Sequence, residues 1–370
     1  MRRRRATLAV VAIVAAAAGA AAGAVSSDGG TASDPATASL AASLGNRQLA
    51  GERVIAGFAG HHPTALIRRL IHSGRTAGVI LFAENFDSTA GARRLVRRLQ
   101  AINRPRALSA PLLVMIDQEG GEVKRLAGPP AASAAEMGRR GPRYCRRQGR
   151  ATGRLLRRVG VNVDLAPVLD VARPGSAIGA EHRAFGHHPR QVSRTANAFA
   201  AGLAARGVAA TAKHFPGLGA APVNTDVASQ RITIPTRKLR AIDEHPYRRF
   251  VAAPGPLVMV NTAIYPRLSP LPAALSPRIA TGELRRRLGF PGVSISDSLE
   301  AASAQAVGDP ARLARLGARA GTDLLLYTGA TDALAATRAL TAGLRSGHLD
   351  RTAFVASASR VLALRGSLPR

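Results

Sequence analysis

Eight short apolar runs, each followed by a stretch of helical period, recur from about Gln48 onward, and this alternation limits the possible folds more than any other feature. The runs are Arg53–Phe58, Gly78–Phe82, Leu112–Ile116, Val161–Leu165, Val208–Ala212, Leu257–Val260, Val293–Ser296 and Asp323–Tyr327. Apolar residues in the intervening stretches fall at i, i+3 and i+4, as in Leu66-Ile67-Leu70-Ile71 and Leu95-Val96-Leu99. Continuous apolar strands alternating with amphipathic helices belong to parallel sheets covered on their faces. Eight such units in about 320 residues predict an α/β fold, a single-domain (β/α)8 TIM barrel. An open doubly wound sheet is the next choice, but no Gly-x-Gly-x-x-Gly turn follows the first strand. Helices over about Thr331–Leu344 and Arg351–Leu364 are expected to complete the outer ring, and the chain leaves no room for a second domain.

In such a barrel, reactive groups sit at the C-terminal ends of the strands and in the loops that follow them. Acidic residues are scarce, 22 in all, and many fall at or near those places. They include Asp117 and Glu119 after the third run, Asp164 and Asp170 around the fourth, and Glu181 and Asp226 in later loops. Asp297 ends the seventh run and Asp323 opens the eighth. The fifth run leads into Lys213-His214-Phe215-Pro216-Gly217, a cation and an imidazole at the end of a buried strand. Charge there is costly to desolvate unless something requires it. Of the 52 Lys+Arg residues only Lys124, Lys213 and Lys238 are lysines, so a compact ammonium at 213 is either a chemical choice or a chance survivor. Asp117 leads into Gly120-Gly121, which lets a ligand approach the backbone closely. It can accept paired hydroxyl hydrogen bonds from a sugar, or equally pair with Arg125 or Lys124. Arg183, in a Gly- and Pro-rich loop, is either a clamp over the mouth or a surface arginine. Asp297 is either a nucleophile or the cap of the next helix.

Taken together, these stretches resemble glycoside hydrolase family 3, in particular its single-barrel bacterial β-N-acetylglucosaminidases (β-hexosaminidases) that recycle or trim peptidoglycan. The resemblance is carried by Gly78–Phe82, Ile116-Asp-Gln-Glu-Gly-Gly121 with Arg125, Val161–Asp170, Arg183-Ala-Phe-Gly186, Lys213-His-Phe-Pro-Gly217, Ser296-Asp297 and Gly321-Thr-Asp323. It spans about Glu52–Leu364, in order. It implies a retaining hydrolase for β-linked N-acetylglucosamine, with no cofactor and no metal. By the resemblance Asp297 is the nucleophile, while Asp117, Arg125, Arg183, Lys213 and His214 bind the sugar. One departure stands out. Where that branch carries Asp-Ser-His as its acid/base pair, this chain has Asn224-Thr225-Asp226. Three outcomes follow: Asp226 is itself the acid/base, or leaving-group protonation is weak, or the barrel has become a non-catalytic glycan-binding protein.

The remaining signals concern the setting. Arg2–Arg5, the apolar Ala6–Ala21 and the Ala22-Gly23-Ala24 site read as a signal peptide over residues 1–24, or an uncleaved anchor, so export is expected. Residues 25–47 read as a disordered linker before the barrel of residues 48–370. A net charge of +30 favours anionic wall polymers, and such binding should weaken as salt rises. With no Trp and 4% aromatic residues, no platform for specific nucleic-acid binding accompanies the charge. A monomer is expected. The lone Cys145 excludes an internal disulfide and is expected to be a small helix residue, and the pairs His61-His62 and His187-His188 to be surface groups.

Overall fold

A computed structural model describes residues 35–253 and 256–369. All eight apolar runs form strands: β1 Val54–Ala56, β2 Gly78–Leu81, β3 Leu113–Ile116, β4 Val163–Asp164, β5 Ala209–Phe215, β6 Leu257–Val260, β7 Val293–Ser296 and β8 Leu325–Tyr327. They pair in parallel in chain order, with β8 returning to β1. A parallel bridge between Ile295 and Leu324 joins β7 to β8 and closes the ring. The chain is thus the expected single-domain (β/α)8 barrel, with a small antiparallel hairpin, Gln118–Gly120 with Val123–Lys124, standing on its third strand.

The strands are apolar throughout because both faces are buried, yet successive residues enter different cores. Ile55, Ile80, Leu113, Met115, Met259 and Ile295 point into the barrel. Val54, Ala56, Val79, Val114 and Val258 instead pack beneath the outer helices. The helix Ala134–Val159 bends where Gly141 takes a left-handed conformation ahead of Pro142, which cannot donate to the helix. Cys145 is buried on this helix, as expected.

The closing helices divide their work differently from the expectation. Ala330–Arg345 lies in the outer ring, but Arg351–Ser367 does not complete it. It crosses the N-terminal end of the barrel as a plug, where Val361, Leu364 and Leu368 join the inner core. Arg365 on this helix donates to the carbonyls of Leu108, Ala110 and Pro111 and pairs with Glu52, all ahead of the strands. Part of the expected linker is also ordered, since Pro35–Ser43 is a helix whose end Arg351 holds by hydrogen bonds to the carbonyls of Ala42 and Leu44. The signal or anchor expected over residues 1–24, and the linker up to residue 34, lie outside the described residues. Among the described residues no helix is long and apolar enough to cross a membrane.

Asp323 also belongs to this closed end, not to the mouth. It is fully buried at the start of β8 and accepts from Arg285, Arg360 (2.7 Å), Ser357 (2.6 Å) and the Ser294 amide (2.9 Å). Burial alone would raise its pKa, but the two guanidiniums hold it well below the usual carboxylate range. Arg53 donates to its backbone carbonyl and stacks 4.3 Å over the Phe354 ring. One residue thus serves three arginines, its carboxylate pairing Arg285 and Arg360 and its carbonyl accepting from Arg53. Replacing it, as in Asp323→Ala, is expected to lower the unfolding free energy by about 3–5 kcal/mol, because breaking a buried pair leaves charge uncompensated. Urea unfolding measures this directly, and wild-type stability in the variant would disprove the role.

Candidate active site

The C-terminal ends of the strands open on a cavity of about 540 Å³. Its floor is apolar, made by Ile80, Leu165, Met259 and Leu326 from four inward-facing strand positions. All seven residues singled out from sequence line it: Asp117, Arg125, Arg183, Lys213, His214, Asp226 and Asp297. They come from loops far apart in the chain, brought together by the closed ring.

On one side of the cavity the charges are paired. Lys213, near the end of β5, is almost wholly buried and reaches Asp117 at 2.8 Å and Glu119 at 2.7 Å. Arg183 grips Glu119 with two hydrogen bonds of 2.9 Å and donates to Glu181 at 3.0 Å. Arg125 meets the other oxygen of Asp117 at 3.4 Å. Glu119 is therefore the hub, serving an ammonium and a guanidinium together. Burial opposes its charge, but Arg183 and Lys213 hold its pKa well below the ordinary carboxylate value. Burial likewise opposes the Lys213 charge, and the carboxylates of Asp117 and Glu119 outweigh it, so its pKa rises. The result is a fixed set of cations and acceptors, suited to the vicinal hydroxyls of a sugar ring.

His214 is oriented by a residue behind it. Asp170, fully buried, accepts from its Nδ1 at 2.7 Å and also from the Leu218 amide at 2.7 Å. The Nε2 edge of the ring is left 3.5 Å from Arg183, facing the cavity. Asn261 fixes the same stretch by donating to the His214 carbonyl at 3.0 Å. Asp164 takes no part in the mouth. It is buried, accepts from the Gln118 amide at 3.0 Å, and burial pushes its pKa well above the usual carboxylate range.

On the other side, neither Asp297 nor Asp226 meets a cation. Asp297, at the end of β7, accepts only from the Ser298 amide through Oδ1 at 2.9 Å, and its second oxygen has no partner among the described residues. The Asp226 carboxylate makes no ion pair or hydrogen bond among them either. Its loop is pinned beside Asp297, because Ser303 donates to the Thr225 carbonyl at 3.2 Å and the Ala302 amide reaches the Asp226 carbonyl at 3.5 Å. Asp226 stands exposed at the cavity rim, and the protein packed around it, then the Asp297 carboxylate, raise its pKa. Asn224 does not orient a catalytic group, since its side-chain oxygen accepts from the Asp226 amide at 3.0 Å and shapes the turn.

Three supporting groups had no role in the sequence reading. Glu119 and Asp170 are acids near strand ends within the stretches Ile116–Gly121 and Val161–Asp170 that carry the resemblance, but neither is assigned a role there. Glu300, three residues beyond Asp297, also lines the cavity and binds Thr328 and the Gly329 amide, tying the seventh loop to the eighth. Nothing in the sequence marked it. The paired histidines at 61–62 and 187–188 are exposed, and no cluster of metal-ligating side chains occurs among the described residues.

The sequence matches the family described as the glycosyl hydrolase family 3 N-terminal domain over residues 47–364. It is 37% identical over 329 residues to an uncharacterized secreted glycosyl hydrolase of Arthroderma benhamiae, covering 86% of this chain and 93% of that protein. It is also 37% identical over 272 residues to a beta-hexosaminidase of Thioalkalivibrio sulfidiphilus, covering 70% and 75% of the two. A solved family 3 beta-N-acetylglucosaminidase from Paenibacillus superposes with a TM-score of 0.83 at 31% identity. That match covers 88% of this chain and 63% of the solved one.

Because the fold holds the Glu119 pKa below that of the unfolded chain, its stabilisation has a predictable pH dependence. Its contribution is present above the unfolded value of about 4.3 and is lost as pH falls toward the depressed folded value. Unfolding free energy measured from pH 6 down to pH 3 should decline in the wild type, and more gently in Glu119→Gln. Identical slopes would argue against the paired hub.

Proposed function

The chain belongs to glycosyl hydrolase family 3 and is a glycosidase, and from that premise we propose that it is a retaining β-N-acetylhexosaminidase acting on cell-wall-type glycans. One observation carries the reading. Of the carboxylates that line the cavity, Asp117 and Glu181 are bound to cations and Glu300 to backbone amides, leaving Asp226 and Asp297 to react. They enter from different loops, and the pKa of Asp226 is raised, as a general acid requires.

Asp297 attacks the anomeric carbon with its unpartnered oxygen. The bond from that carbon to the leaving oxygen breaks as Asp226 delivers its proton to the departing group. Asp226, now a carboxylate, takes a proton from water, and the water oxygen attacks the same carbon and releases Asp297. Retaining pairs work at about 5–5.5 Å, close enough for one carboxylate to keep the other protonated. Asp117, Arg125, Arg183, Lys213 and His214 hold the sugar hydroxyls, with Glu119 and Asp170 as the residues that position them. Export to the wall is consistent with the secreted description of the Arthroderma relative and with the basic surface.

A second reading, a glycan-binding barrel without turnover, draws on the Asn224-Thr225-Asp226 loop, which brings no imidazole to the mouth. Kinetics separate the two. Asp297→Ala is expected to lose aryl β-N-acetylglucosaminide turnover by at least about 10⁴-fold, the scale on which removing a covalent nucleophile acts. A fluoro-sugar adduct should appear on Asp297 by mass spectrometry. Asp226→Asn should lose the alkaline fall of kcat/KM that marks an acid needed in protonated form, and should suffer least with a dinitrophenyl leaving group. Sugar binding without turnover in the wild type would favour the binder, and an active Asp297→Ala would overturn the nucleophile.

A further inference from the structure

A second site lies at the closed end of the barrel, far from the sugar cavity. A cleft of about 560 Å³ runs between the loop before β2 and the last turns of the helix Ala330–Arg345, lined by Arg47, Arg75, Arg338 and Arg345. A neighbouring hollow of about 400 Å³ shares Arg47 and Arg345 with it, so the two form one elongated groove. No carboxylate and no aromatic residue lines either part. None of the four guanidiniums has an ion pair or a side-chain hydrogen bond among the described residues, whereas Arg173, Arg183, Arg240, Arg285, Arg287, Arg360 and Arg365 all pair with acids.

Arg75 is the least exposed of the set. Thr337 donates to its carbonyl at 3.1 Å and fixes it against the helix, and its Nε is buried without a partner. Burial, then the nearby Arg47 and Arg338, depress its pKa, the mark of positive groups gathered without a counter-charge. The hydroxyls of Thr337, Thr341 and Ser346 all donate to backbone carbonyls, leaving the arginines as the charged donors beside the Asn46 and Gln48 amides.

We propose that this groove is a docking site for a non-aromatic phosphodiester polymer of the polyol-phosphate kind. Each phosphodiester is a permanent anion whose two free oxygens match the guanidinium fork. A chain of them presents successive charges to successive arginines along an extended groove, which a single ion cannot. A nucleic acid would leave its bases without stacking partners here. The site is independent of the glycosidase reading, because it shares no residue with the catalytic cavity.

The test uses the full chain and a fluorophore-labelled glycerol-phosphate hexamer, with binding followed by anisotropy over a salt series. The double variant R338Q/R345Q is expected to bind about tenfold or more weakly, with the salt slope reduced by about 1.4, or about 0.7 per lost contact. The equally discharged R93Q/R97Q, on the exposed face of another helix, should change affinity less than about twofold, since salt screens charges beyond about 10 Å. Aryl-glycoside turnover should be unchanged in both, which reports folding. If R338Q/R345Q misfolds, Arg47→Gln alone should lower the slope by about 0.7. Inorganic phosphate at the same phosphoryl concentration should compete poorly. Equal losses in the two double variants, competition by phosphate alone, or equal binding of an oligonucleotide or poly-glutamate of the same charge would each overturn the assignment.

Discussion

Lys213 and Arg183 share the barrel mouth because Glu119 binds both, with Asp117 also holding Lys213 and Glu181 also holding Arg183. An ammonium and a guanidinium placed side by side repel one another, and burial would normally neutralise one or expel it. Glu119 gives one oxygen to both cations and the other to Arg183, with Asp117 completing the Lys213 shell. The rest of the mouth is arranged outward from that contact: Arg125 secures Asp117 from outside, and Asp170 locks the imidazole beside Lys213. A site built this way is rigid before substrate arrives, so less binding energy goes into ordering side chains.

The two unpaired carboxylates gain their meaning from this contrast. Among the carboxylates that line the cavity, Asp117 and Glu181 meet cations and Glu300 meets hydrogen-bond donors of the eighth loop, whereas the side chains of Asp226 and Asp297 meet no cation. Asp226 and Asp297 pair with none of the surplus arginines, and the protein packed around Asp226, then the Asp297 charge, raise the Asp226 pKa. On the proposed reading, Asp226 carries the proton where the resembled branch has an imidazole.

How far the sequence disclosed all this depended on the range of each signal. The strands were legible because burial on both faces writes a continuous apolar run, and the order of the runs implied the ring. The residues of the mouth were legible as a set, since strand ends select them, and Asp117 and Lys213 stand directly at those ends. The plug helix Arg351–Ser367 was not, because apolar positions facing the barrel interior look like those facing a neighbouring helix. Pro35–Ser43 was read as linker since its small, polar residues carry no stripe, and its order depends on contacts with the plug helix more than 300 residues away. Asp323 looked like a rim acid because position along a strand is explicit in sequence, while the cations that claim it, Arg285 and Arg360, come from elements with no local link to it. Glu300 escaped notice for the related reason that its partners are backbone amides of another loop.

The plug helix has one further consequence, for how the molecule can be held. Pro35–Ser43 packs on the face it closes, and Pro369 lies beside Arg157 and Gly207, just ahead of β5, at that same end. Whatever is joined to the described chain at either end is therefore attached opposite the opening. Immobilised on a bead or fused to a carrier from either side, the barrel would stand with its entrance turned to the bulk, and a long, branched sugar chain could reach it without meeting the support.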